Sequence, residues 1–421
     1  MTIPIRNLPL VQNWDCHSCS DCCRIEAPVS AEEKTRIEAL DLTDDPEIAG
    51  RPWFVSQGWL SKRWTLRRRP DGRCVFLTGA NRCRLQERFG PEAKPLACRL
   101  FPFVLISAGD HLRVGVRFSC PSAAAGKGRA LAEHASELTQ LSHLLEKQWG
   151  TPAENVPPPY LQYRQQVPWP DLLRFTATLL EIVQDRGDRF ERRLRKCLAL
   201  ARVCRQARFD DVSGGRLTEF LHIVRAGLDL EVPRTPEELQ PPSRLGRILF
   251  RTLLAVYARK DVGQHRGPAT RTALGRFLAG WRFVRGRGRV PLINGFLRET
   301  TFAEIETKRA GCVSNRSDEL DATLERYYFV KLNSLQFCGR ANFDLSFWTG
   351  LETLIATLPM ILWLTRALSH LPPQIALEKA IFLVDDHFAG NPILCQRHNR
   401  FFLNTLVEGG QLERLIAWYA R

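Results

Sequence analysis

Beyond residue 170 apolar positions recur every three to four residues, over 171–184, 190–207, 217–226, 244–258, 270–284, 320–336, 347–371, 373–388 and from 391 onward. That period marks amphipathic helices, and the strict alternation of a half-buried strand is scarce in the same region. In 190–207, Leu194, Cys197, Leu198 and Ala201 form an apolar stripe, which leaves the arginines on the other faces. Upstream the pattern changes. Short apolar runs at 74–77 and 100–106 read as strands or buried turns, while 125–148 carries Leu131, Leu138, Leu141 and Leu145 at helical spacing. Between the two patterns lies a proline-rich stretch, 152–170, with Pro157, Pro158 and Pro159 in succession. Such a stretch holds neither a regular helix nor a central strand. The expected fold class is mainly α: a small, loop-rich, cysteine- and metal-stapled N-terminal domain over 1–150, a linker over 151–170, and an all-α helical domain over 171–421.

With 421 residues, 44% of them hydrophobic, the chain has material for two or three domains with cores of their own. The net charge of +15 is carried mostly by arginine and calls for an acidic partner, nucleic acid or simply a basic exterior. Basic residues concentrate over 186–208 and 266–289, but neither run interleaves aromatics as an RNA-binding sheet does or forms a DNA-reading helix. Solvated helix faces are the expectation there, and nucleic acid is not an expected partner. No apolar run approaches the roughly 20 residues of a spanning helix. The longest, 353–365, is bounded by Glu352 and Arg366, so no membrane insertion is expected. No internal repeat is present, and Gly214-Gly215 and Gly286-Arg287-Gly288 lack the preceding strand of a nucleotide-binding glycine loop.

Cysteine changes the picture most. Cys16, Cys19, Cys22 and Cys23 form a CxxCxxCC knot, followed by Cys74, Cys83, Cys98 and Cys120, so that eight of thirteen cysteines fall in the first 120 residues. A CxxC step places two thiolates on one turn, near enough to bind one soft ion, and distant cysteines complete the shell. The first fifteen residues show no apolar stretch behind a basic one. A cytoplasmic location with reduced thiols is therefore expected, which favours metal over disulfides. Two structural zinc sites, a 4Fe–4S cluster with an open iron, or an exchangeable metal-carrier site all fit these spacings. Vicinal Cys22 and Cys23 do not readily share one tetrahedral ion, so they point to different sites or one stays outside the ligand shell. His17 reads as a solvent-facing or supporting residue rather than a ligand. Arg99, next to Cys98, either offsets cluster charge and grips a carboxylate or forms a salt bridge to a residue such as Glu87 or Glu92. Cys197, Cys204, Cys312, Cys338 and Cys395 read as packing cysteines.

The knot, then Cys74-Val75-Phe76-Leu77, then Cys83 followed by Leu85, Gln86 and Arg88, then Cys98-Arg99-Leu100-Phe101-Pro102, resembles the CxxCxxCC zinc- or iron-chelating domain family over about residues 14–121. With Glu325-Arg326-Tyr327-Tyr328 and Cys395-Gln396-Arg397-His398-Asn399 in the helical half, the chain resembles the flagellin lysine N-methylase branch of that family. This resemblance implies methyl transfer from S-adenosylmethionine to lysine amines of flagellin or a similar protein, with a 4Fe–4S cluster on the cysteine unit and Arg99 at the charge-compensating or cofactor-gripping position. A lysine amine must lose its proton before it attacks a methyl group. Tyr327, Tyr328 and His398 are candidates for that role by position alone, and packing is the competing reading for each. The CxxxCxxC triplet of radical enzymes is absent. A net charge of +15 would repel a lysine-rich patch and suits a substrate that is acidic overall. The alternative is a non-enzymatic zinc- or iron-binding protein with a structural or carrier role.

Overall fold

The computed structural model describes residues 4–6, 8–42, 45, 47–58, 63–150, 156–259, 272–291, 298–307 and 318–421. Cys312 and the 266–271 part of the second basic run lie outside these residues. The strands are β1 (Asn13–Trp14), β2 (Pro28–Val29), β3 (Phe54–Ser56), β4 (Trp64–Leu66), β5 (Phe103–Ser107), β6 (Leu112–Val116) and β7 (Arg129–Ala130). All pair antiparallel, as β1–β7, as a β2–β4–β3 sheet and as a β5–β6 hairpin with Val104 opposite Gly115. The N-terminal helices are α1 (Ala31–Glu38), α2 (Arg84–Phe89), α3 (Leu96–Leu100), α4 (Pro121–Ala125) and α5 (Ala135–Trp149). There follow α6 (Trp169–Gln184), α7 (Phe190–Gln206), α8 (Gly214–Glu231), α9 (Arg244–Ala258), α10 (Ala273–Arg285) and α11 (Phe302–Thr307). The last are α12 (Asp318–Asn333), α13 (Phe347–Ile355), α14 (Thr357–Ala367), α15 (Pro373–Asp385), α16 (Arg397–Glu408) and α17 (Gln411–Ala420). The protein is mainly α with a loop-rich N-terminal domain.

Two apolar cores form. The smaller gathers Val29, Ile37, Leu42, Ile48, Phe54, Leu66, Val75, Phe76, Leu85 and Ala93, with Cys74, Cys83 and Cys98 at its edge. The larger runs from Phe103 to Ala420, so β6, α4 and α5 share the core of the helices that follow. In the proline-rich stretch, Leu161 is buried, and the carbonyls of Tyr160 and Leu161 accept the Phe347 (2.7 Å) and Trp348 (3.2 Å) N–H groups that open α13. Those helix-end donors have no intrahelical partner, so the stretch itself supplies one.

Three expectations change. The basic residues in the first half of α7 are not on a solvated face: Arg192, Arg193, Arg195 and Lys196 are all buried, whereas Arg202 is exposed. Three of these charges enter the interior paired, Arg193 with Glu325 (2.8 Å), and Arg192 and Lys196 with Asp188 and Asp229, while the Arg195 guanidinium has no hydrogen-bond partner among the described residues. The single helix read over 347–371 is two, because Pro359 has no N–H to offer the carbonyl of Ile355, where α13 ends. The apolar run is also longer than 353–365. Phe347–Ala367 spans 21 residues with a mean hydropathy of 1.4, long and apolar enough to cross a membrane, yet 94% of that stretch is buried in the core. At the waist of α13, Gly350 is obligatory, since a Cβ there would stand 2.0 Å from the Phe337 carbonyl oxygen.

On α13 burial pushes the Glu352 carboxyl up to about 7, against the opposing pull of Arg205, whose Nη2 lies 2.7 Å away. An acid whose folded pKa is raised stabilises the fold fully below its unfolded pKa and loses that contribution as pH rises through the folded one. Between the ordinary 4.5 and about 7, stability should therefore fall by about 3 kcal/mol on account of Glu352. Thermal melts at pH 5 and pH 7.5 check this: Glu352→Gln should flatten the difference, and an unchanged difference would refute it.

Candidate metal centre

The knot loops back on itself because Ser18 and Ser20 adopt left-handed φ values of 52° and 63°. A single tight helical turn, Asp21–Arg24, then carries Cys22 and Cys23. The Cys23 carbonyl accepts the Cys74 N–H at 2.8 Å, which ties the knot to the next cysteine segment. Cys83 and Cys120 immediately precede α2 and α4, and Cys98 lies within α3. The α3 segment is itself held by Glu33: one carboxylate oxygen closes the capping box of α1 with Ser30, and the other accepts the Leu96 N–H at 2.6 Å.

The thiols influence one another. The Cys22 thiol is pushed up first by its hydrogen bond to Cys23, then by burial and the charge of Cys23. Cys16, Cys19 and Cys22 are exposed as residues, and Cys23, Cys74, Cys83 and Cys98 are partly buried. Burial leads for the others. Cys74 rises to about 11, with Cys83 and Cys22 adding to the shift, and Cys98 rises under burial and the neighbouring Cys74, Cys83 and Cys22. Cys19 rises to about 11, with Cys120 and Cys22 among the causes, and Cys120 rises with Cys22 as a lesser one. Cys22 is thus the hub between two groups, Cys19 with Cys120, and Cys74 with Cys83 and Cys98. No interaction among the described residues ties Cys16 to either.

Neighbouring donors and cations pull the other way and show where thiolates would be welcome. Backbone N–H groups bond three of these sulfurs, Asp21 to Cys19, Phe76 to Cys74, and Ser122 and Ala123 to Cys120. The Trp14 indole, whose buried Nε1 has no nitrogen or oxygen partner, acts on Cys120 in the same direction. Lys94 lowers Cys22 and Cys98, and Arg69 lowers Cys74. Backbone N–H bonds and nearby cations are what a thiolate-ligated soft metal requires of its surroundings. The donor chemistry therefore fits zinc or iron. Among the described residues, however, no three or more His, Cys, Asp or Glu side chains already stand around one ion-sized centre. The sulfurs are gathered but not closed.

His17 Nδ1 lies 2.9 Å from the Asp15 carbonyl and 2.8 Å from Ser122 Oγ, bracing the start of α4. Arg99 is half-buried in the last turn of α3 and makes neither expected salt bridge; Glu87 pairs with Arg82 at 2.7 Å instead. The cations facing the sulfurs are Lys94 and Arg69, which sequence reasoning passed over. Lys94 stands four residues before Cys98, a spacing that offered a clue; Arg69 reaches its place through a hairpin bridge between Arg68 and Cys74 that no local pattern announces. Tyr327 and Tyr328 are core residues, hydrogen-bonded to Asp385 (3.3 Å) and Thr357 (2.8 Å), and burial drives both hydroxyls well above their ordinary range. His398 is exposed at the start of α16, against Phe402. Cys395 and Asn399 of the same motif line a small cleft with Tyr257, Phe343, Met360 and Arg400.

One feature joins the site to the helical core. Asp385, 4% exposed at the end of α15, accepts the Phe118 (2.5 Å) and Ser119 (3.1 Å) N–H groups just before Cys120 and pairs with buried Lys331 of α12 at 2.5 Å. Lys331 Nζ also donates to Gln336 at 2.9 Å and sits over the Phe118, Tyr327 and Phe388 rings.

A cluster of cysteine thiols with N–H and cationic support defines a thiolate metal chelator as the class. Residues 15–121 match the family model CxxCxxCC, described as "Putative zinc- or iron-chelating domain". No curated protein and no solved structure matches the chain.

Proposed function

We propose that Cys16, Cys19, Cys22, Cys23, Cys74, Cys83, Cys98 and Cys120 supply the thiolates of one or more 4Fe–4S clusters, each taking three or four of them, and that the protein is a lysine N-methyltransferase using S-adenosylmethionine on flagellin or a similar protein. The observation that carries the metal half is the convergence on Cys22 of thiols from four separate segments. The methyltransferase half is supported by the order of the cysteine motifs and by the absence of a glycine-rich nucleotide loop. When bound, an iron with an open position can chelate the amino and carboxylate groups of the methyl donor. The chain's own part is to hold the thiolates through Asp21, Phe76, Ser122 and Ala123 N–H groups and to balance their charge through Lys94 and Arg69. Methyl transfer needs the lysine nitrogen neutral, so that its lone pair displaces the sulfonium as a thioether and the resulting cation sheds a proton. Tyr327 and Tyr328, buried and held protonated, do not serve as that base.

Metal and sulfide analysis with electron paramagnetic resonance on anaerobically purified protein tests the first half. Iron and sulfide in cluster proportion are expected, and zinc alone would replace the reading with a structural or carrier role. Transfer of labelled methyl from S-adenosylmethionine to flagellin tests the second, and a cluster-loaded protein that transfers none would overturn it.

A further inference from the structure

Among the described residues the outer face of α10 is not covered. Leu274, Phe277, Leu278 and Trp281 are 66%, 67%, 48% and 50% exposed, while Ala279 and Phe283 face inward. Spacings of three and four put these four side chains on one stripe about 10 Å long. On the neighbouring α9, tied to α10 by the Arg251 Nε bond to the Phe283 carbonyl (3.1 Å), Leu245 and Ile248 are exposed as well. Six large apolar side chains on two packed helices exceed the scattered exposure normal for a protein surface.

The charge around this stripe has one sign. Neither α9 nor α10 contains an Asp or Glu, and together they carry Arg244, Arg247, Arg251, Arg276, Arg282 and Arg285, with Arg287 just beyond. Among the described residues no carboxylate pairs with Arg244, Arg247, Arg282, Arg285 or Arg287. The Arg285 guanidinium stands 6.0 Å from the Trp281 ring centroid, beside the stripe. The occupant must therefore be apolar and anionic together. The sequence of α10 is built only from Ala, Leu, Gly, Val, Phe, Trp and Arg. Beyond the Trp281 indole N–H it offers no neutral hydrogen-bonding side chain, and it has no carboxylate. A lipid surface asks for none: aliphatic and aromatic side chains enter the acyl boundary, tryptophan sits at headgroup depth, and arginine meets phosphate.

We propose that α10, with the exposed edge of α9, docks the protein on an anionic lipid surface. The binding is peripheral and owes nothing to the metal centre, so it stands or falls separately from the proposed function.

Co-sedimentation of the intact protein with vesicles of phosphatidylcholine alone, or of phosphatidylcholine mixed with phosphatidylglycerol, tests it. Binding is expected to the mixed vesicles only and should weaken with added salt. Replacing both Arg282→Gln and Arg285→Gln should lower partitioning at least about tenfold. Phe277→Ser with Trp281→Ser should abolish it, with circular dichroism and melting unchanged because both side chains are exposed. A protein that stays in the supernatant with mixed vesicles, as it would if an acidic protein were the true occupant, overturns the proposal. So does equal binding to neutral vesicles, or variants that bind like the parent.

Discussion

Alanine at Asp385 should destabilise the protein by about 3–5 kcal/mol, because it leaves the Lys331 ammonium buried without its counter-charge. Lys331 is 2% exposed, and burial already lowers its pKa against the opposing pull of Asp385. The same substitution frees the Phe118 and Ser119 N–H groups, two buried donors with no other acceptor given to them. Urea unfolding of the single variant and of Asp385→Ala combined with Lys331→Met separates the causes. The double variant should recover the part due to the stranded charge, since apolar replacement of a buried pair is often nearly neutral. What remains reports the anchoring of the segment before Cys120. A double variant no more stable than the single one would show that the stranded charge is not the main cost.

The contrast between α9 and α7 explains how much of this was legible. For α9, apolar spacing and the Ser243 cap, whose Oγ accepts the Gly246 N–H at 3.0 Å, act within one helix, so local pattern gives its bounds. For α7 the same kind of pattern reveals one apolar stripe and says nothing of the rest. Glu325 pairs with Arg193 from 132 residues away, and only the tertiary arrangement brings it there. The break after Ile355 was legible in Pro359 but masked by the apolar run around it. The candidate site divides similarly. Motif spacing identifies the cysteines as a set, whereas the central place of Cys22, the outlying place of Cys16 and the cations Lys94 and Arg69 follow from how distant segments fold together.

That difference among the cysteines sets the largest expected effect. Among the described residues the smaller core has ten buried apolar residues to hold the segment from Val29 to Ala93, which is little for so many turns and short strands. A thiolate-bound metal supplies folding free energy directly, about 10–16 kcal/mol for zinc in the smallest domains. Chelation of metal from the reduced protein should therefore raise amide exchange throughout this lobe to that of an open chain. The helices from α6 to α17, which pack on the larger core, should stay protected. Cys22→Ser should reproduce the effect and lose metal, since it removes the hub of both thiol groups, whereas Cys16→Ser should retain most of the metal and the protection. Exchange that rises equally in both cores would mean the metal does not stabilise this lobe in particular. Equal losses for Cys16 and Cys22 would show that the ligand shell closes around a different centre from the one the thiols now surround.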